Sequence, residues 1–180
     1  MKAVIFHGWG ATSKDNWFPW LKNELVKAGF EVYSPDMPNT QNPDQEEWLK
    51  EALKLPIDEG TILIGHSLGT VLIMRLLEKI RVKSAYLAAA FDEHLGIEEL
   101  KNFFYRPFDY DKINKNTKKL VILNSDNDHY IPLNIAKNLQ KNLDCGMIIF
   151  ESMEHLSNGT GNRKFPELLE MIKNETDKKD

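Results

Sequence analysis

The sequence has almost no cysteine, no long apolar stretch and no excess of positive charge, and each shortage excludes a class of protein. Its 180 residues include one cysteine, Cys145, so no intramolecular disulfide can form and a reducing compartment is permitted. No apolar run approaches the ~20 residues that a membrane-spanning helix needs. The N-terminus lacks a basic segment followed by an apolar stretch and a small-residue cleavage site. We therefore expect a cytoplasmic protein with no membrane partner.

Patterns for binding nucleic acids, nucleotides and metals are missing as well. A formal net charge of -4 gives no basic stripe of the kind that binds nucleic acid. The glycines match neither G-x-G-x-x-G nor G-x-x-x-x-G-K-[ST], the patterns typical of nucleotide-binding loops. No H-x-x-x-H or clustered Cys/His spacing occurs, so we expect neither a metal nor another cofactor.

What the sequence does contain is an alternation of short apolar runs with amphipathic segments. The candidate strands are 3–6, 30–33, 62–64, 84–89, 120–123 and 147–150, and the candidate helices are 17–28, 44–55, 68–80, 132–143 and 165–172. Apolar residues within the strand candidates are mostly consecutive, which indicates strands covered on both faces. The pattern predicts an α/β fold with a mostly parallel central sheet and helices on both faces.

Two stretches depart from this rhythm. Residues 91–118 are aromatic and contain no clear strand, so we interpret them as an excursion over the top of the sheet and a candidate cap. Residues 174–180 are rich in charge and are expected to form a frayed C-terminal tail. We therefore assign residues 1–173 to a single domain, which suits a chain of this length.

The strongest functional signal is the pentapeptide Gly65-His66-Ser67-Leu68-Gly69, which matches G-x-S-x-G. It follows the apolar run 61–64 and precedes an apolar helix, which is the context in which such a serine acts as a nucleophile. Glycines beside the sharp turn let the two backbones cross closely. The serine would project near a helix N-terminus, whose free N–H groups stabilise developing negative charge. The alternative is a strand-to-helix turn that needs glycine for its geometry alone.

A nucleophilic serine needs a base, and five histidines are available. The sharp strand-to-helix turn that carries such a serine is called a nucleophile elbow. In folds with this elbow, the partners of the serine follow in the chain order Ser, acid, His, each after a later strand. His155 lies just past the last candidate strand and would emerge at the same sheet edge as Ser67. We therefore assign His155 as the general base, against the alternative of an exposed loop histidine.

The acid is expected after the preceding strand, where Asp126 and Asp128 compete. Many hydrolases with this elbow carry an aspartate three residues before an apolar residue that is followed by proline. Asp128 fits through Ile131-Pro132 and Asp126 does not, so Asp128 is favoured as the residue that orients His155. Asp126 would instead hydrogen-bond the turn.

Two backbone donors are needed to hold the oxyanion of a tetrahedral intermediate. The first is the N–H of the residue after the nucleophile, Leu68. The stretch His7-Gly8-Trp9-Gly10 directly follows the first strand and can bring the N–H of Trp9 to the site, although an ordinary glycine-rich loop would look the same. We interpret His7 and His66 as structural residues or as residues that line the site, not as catalytic groups.

The segment 103–110, Phe103-Phe104-Tyr105-Arg106-Pro107-Phe108-Asp109-Tyr110, is unusually aromatic. Phe104 and Phe108 are candidates for lining an acyl or leaving-group pocket. The alternative, which the sequence supports equally, is a loop that its rings pin to the core.

Several of these motifs occur together in one known group of proteins. They are Trp17 through Leu25 (W-x-x-W-x-x-x-L), Met37-Pro38, Gly65-His66-Ser67, Tyr105-Arg106-Pro107-Phe108, the pattern from Asp128 to Pro132, and His155. The chain resembles, over nearly its whole length, the small serine hydrolases grouped with retinoblastoma-binding protein nine and the bacterial YdeN protein. The resemblance implies an α/β-hydrolase-like three-layer sandwich with a reduced cap and a triad at Ser67, Asp128 and His155.

One property of that group does not carry over. The human relative binds retinoblastoma protein through an L-x-C-x-E segment before the elbow strand. The matching stretch here is Leu55-Pro56-Ile57-Asp58-Glu59, in which Ile57 replaces the cysteine. We therefore do not expect a retinoblastoma-type partner.

The sequence thus favours a carboxylesterase-like serine hydrolase that cleaves a small-molecule ester, thioester or amide through an acyl-enzyme on Ser67. A second hypothesis is a catalytically weak hydrolase-fold protein that acts as a protein-interaction module, because a fold alone does not guarantee activity.

Overall fold

The computed structural model describes residues 1–157 and 163–177, and its centre is a six-stranded sheet in the order β2-β1-β3-β4-β5-β6. Every neighbouring pair in this sheet is parallel. The strands are β1 (Lys2–Phe6), β2 (Glu31–Tyr33), β3 (Ile62–His66), β4 (Val82–Ala88), β5 (Thr117–Ser125) and β6 (Gly146–Phe150). The helices are α1 (Phe18–Lys27), α2 (Gln45–Ala52), α3 (Leu68–Leu77), α4 (Tyr110–Lys115), α5 (Leu133–Leu143) and α6 (Pro166–Asp177), and a 3-10 helix covers Glu98–Phe104.

Helices cover both faces of the sheet, because alternate residues of each strand point in opposite directions. Phe6 and Leu63 pack on the face that carries α2, α3, α4 and α5. Their neighbours Ile5 and Ile64 pack on the face that carries α1 and α6. The predicted α/β architecture, a parallel sheet between two helical layers, is confirmed.

The sheet has a point at which the winding direction reverses. Strand β1 lies between β2 and β3, so the chain first moves to one side of β1 and then to the other. Phe6 at the end of β1 pairs with Gly65 in β3, which places the loops that follow these two strands side by side. Crevices at such reversal points, at the carboxyl ends of the strands, are where ligands bind in open α/β sheets.

The predicted strands and helices are all present with shifted bounds, and two short helices were missed. β5 begins at Thr117 rather than at 120, because the polar residues 117–119 pair with β4 although they are not apolar. The 3-10 helix and α4 escaped prediction, and in α4 only Ile113 is buried, too little for an amphipathic pattern. In the parts of the chain that are described, none of the helices combines the length and apolar character needed to cross a membrane.

The segment between β4 and β5 is fastened to the domain by Arg75 of α3, whose side chain is fully buried. Its guanidinium donates to the backbone oxygens of Phe103 at 3.0 Å and Arg106 at 2.6 Å, and it pairs with Glu78 at 3.0 Å. The same group lies 3.7 Å from the ring centroid of Phe108. A buried charge with this many acceptors holds the segment firmly on α3.

The predicted C-terminal tail must be corrected, because α6 continues to Asp177 and so includes the first residues assigned to the tail. Glu175 accepts hydrogen bonds from the hydroxyls of Ser84 at 2.8 Å and Tyr86 at 2.7 Å, and it pairs with Lys119 at 2.7 Å. These contacts hold the last turns of α6 on the sheet. The sequence pattern did not predict them, because a run of charged residues is typical of an exposed tail. The remaining tail residues, 178–180, lie outside the described residues.

Candidate active site

Ser67 occupies the sharp turn between β3 and α3. Its φ of 52° and ψ of -122° lie in a region that residues other than glycine adopt only when their surroundings enforce it. The N–H of Ser67 donates to the carbonyl of Ala88 at 2.9 Å, and its carbonyl accepts from the hydroxyl of Thr70 at 2.7 Å. These bonds hold the turn in place, and Ser67 lines a cleft at the carboxyl end of the sheet.

At three glycines around the elbow, any larger side chain would clash with neighbouring atoms. A Cβ on Gly69 would lie 2.4 Å from the carbonyl oxygen of Phe6, and a Cβ on Gly65 would lie 2.8 Å from the backbone of Gly69. A Cβ on Gly8, in the loop after β1, would lie 2.9 Å from the Cβ of Ser67. The glycines therefore let α3, β3 and the loop after β1 converge on the serine.

His155 and Asp128 are joined by a hydrogen bond. Nδ1 of His155 lies 2.8 Å from Oδ2 of Asp128, whose side chain is fully buried. The other carboxylate oxygen accepts from the N–H groups of Tyr130 at 2.9 Å and Ile131 at 3.0 Å. Because an ionised carboxylate only accepts, Nδ1 of His155 carries the proton, and Nε2 is left with a free lone pair when the ring is neutral.

The Asp128 carboxylate is held in its charged form. Burial alone would raise its pKa, but the hydrogen bond and charge of His155 and the N–H groups of Ile131 and Tyr130 outweigh burial and lower the pKa below its ordinary value. The charged carboxylate therefore accepts the Nδ1 proton of His155 and orients the ring.

The loop that carries His155, residues 151–157 and here called the histidine loop, is bonded to the loop after β5. The N–H of Ser152 donates to Oδ1 of Asp126 at 2.8 Å, and the N–H of Glu154 donates to Oδ1 of Asn127 at 2.8 Å. The Asp126 carboxylate therefore supports the start of the histidine loop, in place of the bond to its own turn that the sequence suggested.

The backbone of the histidine loop is under strain. Ser152, Glu154 and Leu156 have φ values of 55°, 47° and 50° although none of them is glycine. Left-handed conformations of this kind persist where surrounding contacts enforce them, and here the side chains of Asp126 and Asn127 do so. This conformation presents the His155 ring to the cleft.

His66 is buried beneath the ring of His155. Its Nε2–H donates to the carbonyl oxygen of His155 at 2.8 Å, and the two ring centroids are 4.9 Å apart. Burial, reinforced by the nearby His155, lowers the pKa of His66 to about 3, so this ring remains neutral. His66 lines the cleft, as proposed, and also supports the catalytic candidate from below.

His7 has a structural position, which is one of the two alternatives that the sequence left open for it. Its Nδ1–H donates to the carbonyl of Gly8 at 2.8 Å, and its Nε2 accepts from the N–H of Met37 at 2.9 Å. The pKa of His7 is lowered by burial. With both ring nitrogens occupied by backbone groups, the side chain fixes the loop after β1 and is not among the residues that line the cleft.

The two proposed oxyanion donors belong to the two segments that meet at Ser67. Leu68 is the first residue of α3, and Trp9 follows Gly8 in the loop packed against Ser67. The indole of Trp9 donates to the carbonyl of Gln41 at 2.9 Å, which fixes this loop. Within the described residues, neither backbone N–H donates to a protein acceptor, so both are free to bind a ligand oxygen.

The cleft has a volume of about 320 Å³ and an apolar wall that was not predicted. Its wall comes from the segment after β4, through Phe91, Leu95, Ile97 and Leu100, and Tyr130 stands beside His155. The sequence offered a partial signal, since 91–118 was interpreted as a cap, but nothing in the pattern singled out these side chains.

Phe104 and Phe108, which were expected to line the pocket, lie elsewhere. Phe108 packs beneath the guanidinium of Arg75, and Phe104 packs between Phe108 and Phe91, with ring centroids 6.2 and 5.8 Å away. Neither is among the residues that line the cleft. The Phe108 ring packs on the buried Arg75 and the Phe104 ring packs against the core, so this aromatic run does not produce a pocket.

Among the described residues, no group of His, Cys, Asp or Glu side chains is arranged to hold a metal ion. Of the histidines that line the cleft, His155 bonds Asp128 and His66 bonds the carbonyl of His155 through Nε2.

The parallel sheet and the strained serine after β3 define the chain as an α/β hydrolase. Mouse alpha/beta hydrolase domain-containing protein 10 has the same fold, with a TM-score of 0.73 at 13% identity over 98% of this chain and 90% of that chain. The chain belongs to the serine hydrolase family, whose model matches residues 3–174.

Two curated relatives are similar along almost the whole chain. The putative hydrolase YdeN of Bacillus subtilis is 29% identical over 95% of this chain and 94% of its own length. The serine hydrolase RBBP9 of Rattus norvegicus is 29% identical over 96% of this chain and 94% of its own length. The crystal structure of the B. subtilis ydeN product superposes with a TM-score of 0.90 at 28% identity, covering 96% of this chain and 97% of that one. The resemblance drawn from the sequence is confirmed.

Proposed function

We propose that this serine hydrolase cleaves a small ester, thioester or amide through an acyl-enzyme intermediate on Ser67. The observation that carries the proposal is the 2.8 Å bond between Asp128 and His155, at the edge of the cleft that Ser67 also lines. Ser67 and His155 come from loops far apart in the sequence and line the same cleft, which supports a shared role in one reaction.

Acylation would begin when Nε2 of His155 takes the proton of the Ser67 hydroxyl and Oγ attacks the substrate carbonyl. The N–H groups of Leu68 and Trp9 would hold the resulting oxyanion. The Asp128 carboxylate stabilises the imidazolium that forms at the same time. As the tetrahedral intermediate collapses, His155 gives its proton to the departing alcohol, thiol or amine, and the acyl group remains on Oγ.

Deacylation would use the same groups in reverse order. Water occupies the place that the leaving group vacated, and Nε2 of His155 removes a proton from it as it attacks the acyl carbon. The intermediate then expels Oγ, which takes back the proton from His155 and leaves the free carboxylic acid. Every atom in the cycle comes from the substrate, water and these side chains.

Among the three bond types, a carboxylic ester is our first choice. The cleft lies near the lower end of the ~300–1,000 Å³ range of small-molecule sites, which suits a small substrate better than a long lipid.

We also propose that the protein is cytoplasmic. Cell fractionation tests this location.

Hydrolysis of p-nitrophenyl butyrate by the wild type and by Ser67→Ala tests this proposal. Alanine tolerates the backbone of the elbow as well as serine does, so the variant should fold, which circular dichroism checks. We expect a loss of about 10³-fold or more in kcat. Equal turnover by the two proteins would contradict a nucleophilic Ser67.

The interaction-module hypothesis makes the opposite prediction in the same experiment. It expects no turnover of any p-nitrophenyl ester by folded wild type, and recovery of the same stable partner by wild type and by Ser67→Ala in a pull-down. No contact within the described residues favours this alternative.

A further inference from the structure

The described lining of the cleft contains no Asp, Glu, Lys or Arg side chain. Its only titratable groups are the rings of His66 and His155 and the phenol of Tyr130. A charged group on the substrate would therefore lose water without gaining a partner in this lining, which is costly. This favours substrates that are neutral on both sides of the scissile bond.

Several loops line the cleft around Ser67, and two of them bear on how a substrate would be held. One part is the apolar wall after β4, with Leu95 and Ile97 half-buried and Phe91 and Leu100 buried. The other is Tyr130, in the loop after β5, whose ring is in edge contact with His155 at a centroid distance of 5.0 Å.

The chemistry of the reaction decides which half of the substrate meets Tyr130. His155 must give its proton to the leaving group, so the leaving-group atom has to lie within hydrogen-bond reach of Nε2. A side chain in contact with the His155 ring therefore meets the leaving group. The acyl group extends from the other side of the carbonyl carbon, so we expect it to contact the apolar wall after β4.

Tyr130 is well placed to hold an aromatic group. It is 60% exposed, so one face of the ring is open to a ligand. Its backbone is held by the N–H bond to Asp128 at 2.9 Å, and its ring contacts those of His129 and His155 at centroid distances of 4.2 and 5.0 Å. An exposed ring that is already held in place loses little freedom when it contacts a second ring.

We propose that Tyr130 forms the leaving-group subsite and that the substrates are esters of neutral, apolar acids with aromatic alcohols. The proposal rests on the proposed function and deepens it by naming the two halves of the substrate. Tyr130 acts here as a specificity-determining residue, and the wall that contains Ile97 selects the acyl chain.

The test compares benzyl butyrate with ethyl butyrate, two esters with the same acyl group and with alcohols of similar acidity. Tyr130→Ala should lower kcat/KM for the benzyl ester by about tenfold and for the ethyl ester by less than about twofold, since an aromatic pair adds about that factor. Tyr130→Phe keeps the ring and should keep the wild-type ratio. Because the residue is mostly exposed, these variants should fold, and thermal unfolding verifies it.

Two further variants serve as controls. Tyr105→Ala removes another exposed tyrosine, one that does not line the cleft, and should leave both rates unchanged. Ile97→Ala should change the ratio of hexanoyl to butyryl hydrolysis for either alcohol and leave the ratio of benzyl to ethyl ester unchanged.

Deacylation provides an independent readout. Both esters form the same butyryl-enzyme, so its hydrolysis rate cannot depend on the alcohol. Tyr130→Ala should therefore slow release of benzyl alcohol but not breakdown of the butyryl-enzyme, which is measured by recovery of free enzyme after rapid acylation with p-nitrophenyl butyrate.

The outcomes separate the subsite from the proposed function. If the wild type hydrolyses both esters and Tyr130→Ala slows both equally, the subsite is wrong and the hydrolase proposal stands. If Ile97→Ala is the variant that changes the benzyl-to-ethyl ratio, the two halves have been assigned in reverse and the subsite is again wrong. If folded wild type hydrolyses neither ester nor p-nitrophenyl butyrate, both proposals fail.

Discussion

Asp126 and Asp128 are close in the sequence, yet their carboxylates meet different partners. Asp128 bonds the ring of His155, whereas Asp126 bonds only backbone N–H of the histidine loop. The sequence favoured Asp128 through the Ile131-Pro132 pattern, and the geometry supplies the physical reason. The bonds from the N–H groups of Tyr130 and Ile131 require this turn and aim Oδ2 at the histidine.

We predict that Asp128→Asn lowers kcat for p-nitrophenyl butyrate by about 10³- to 10⁴-fold, because an amide facing Nδ1 favours the wrong tautomer of His155. Asp126→Asn keeps an acceptor oxygen for Ser152 and should cost less than about tenfold. Steady-state kinetics on the two folded variants decide the matter. Similar losses in both would show that the two aspartates share the role.

At the scale of elements, the position of His155 depends on the histidine loop, whose backbone is strained and is hydrogen-bonded to the loop after β5. Asn127 accepts the N–H of Glu154, which has a left-handed backbone next to His155. Removing this acceptor leaves the strained conformation with less to enforce it, so the histidine loop should relax and the ring should move. Misplacement of a catalytic group by about 1 Å can cost about 10²-fold in rate.

Asn127→Ala should therefore lower kcat by about 10- to 100-fold while leaving KM nearly unchanged. The matched variant Asn127→Asp retains an acceptor oxygen and should recover most of the rate. Steady-state kinetics on both variants, with thermal unfolding to verify the fold, provide the test. Wild-type kcat in Asn127→Ala would mean that the loop holds its shape without this bond.

Sequence patterns predicted the features that neighbouring residues determine. They missed the features that depend on residues distant in the sequence. Strand β3 with the Ser67 turn is encoded by neighbouring residues, because the apolar run and two glycines form one short stretch. The position of Phe108 depends instead on Arg75, a buried residue far away in the sequence, and Phe104 packs on Phe108. Residues 174–177 were assigned to the tail for the same reason, since Glu175 is held by partners in β4 and β5.

At the scale of the whole molecule, the site exists only when the sheet is assembled, because its groups follow β1, β3, β5 and β6. The buried His66 ring, which lines the same cleft, makes the free energy of unfolding depend on pH. Its pKa in the folded protein is about 3, whereas an unfolded histidine titrates near ~6.5. Between these values the unfolded chain binds a proton that the folded chain does not, so stability falls as pH is lowered from about 6.5 towards about 3.

This difference should destabilise the wild type by about 2 kcal/mol between pH 7 and pH 5. Burial also lowers the pKa of His7, which acts in the same direction. Urea unfolding at the two pH values measures the effect. In His66→Gln the difference should shrink by about 2 kcal/mol. An unchanged difference in His66→Gln would show that His66 is not the buried neutral group described here.

The most direct measurement on the site as a whole is labelling by a fluorophosphonate probe followed by peptide mapping. We predict one phosphonyl group, on the peptide that contains Ser67, with labelling slowed by about 10³-fold or more in His155→Gln and unchanged in His129→Gln. Labelling of a different residue, or equal rates in the wild type and His155→Gln, would contradict a nucleophilic serine activated by His155.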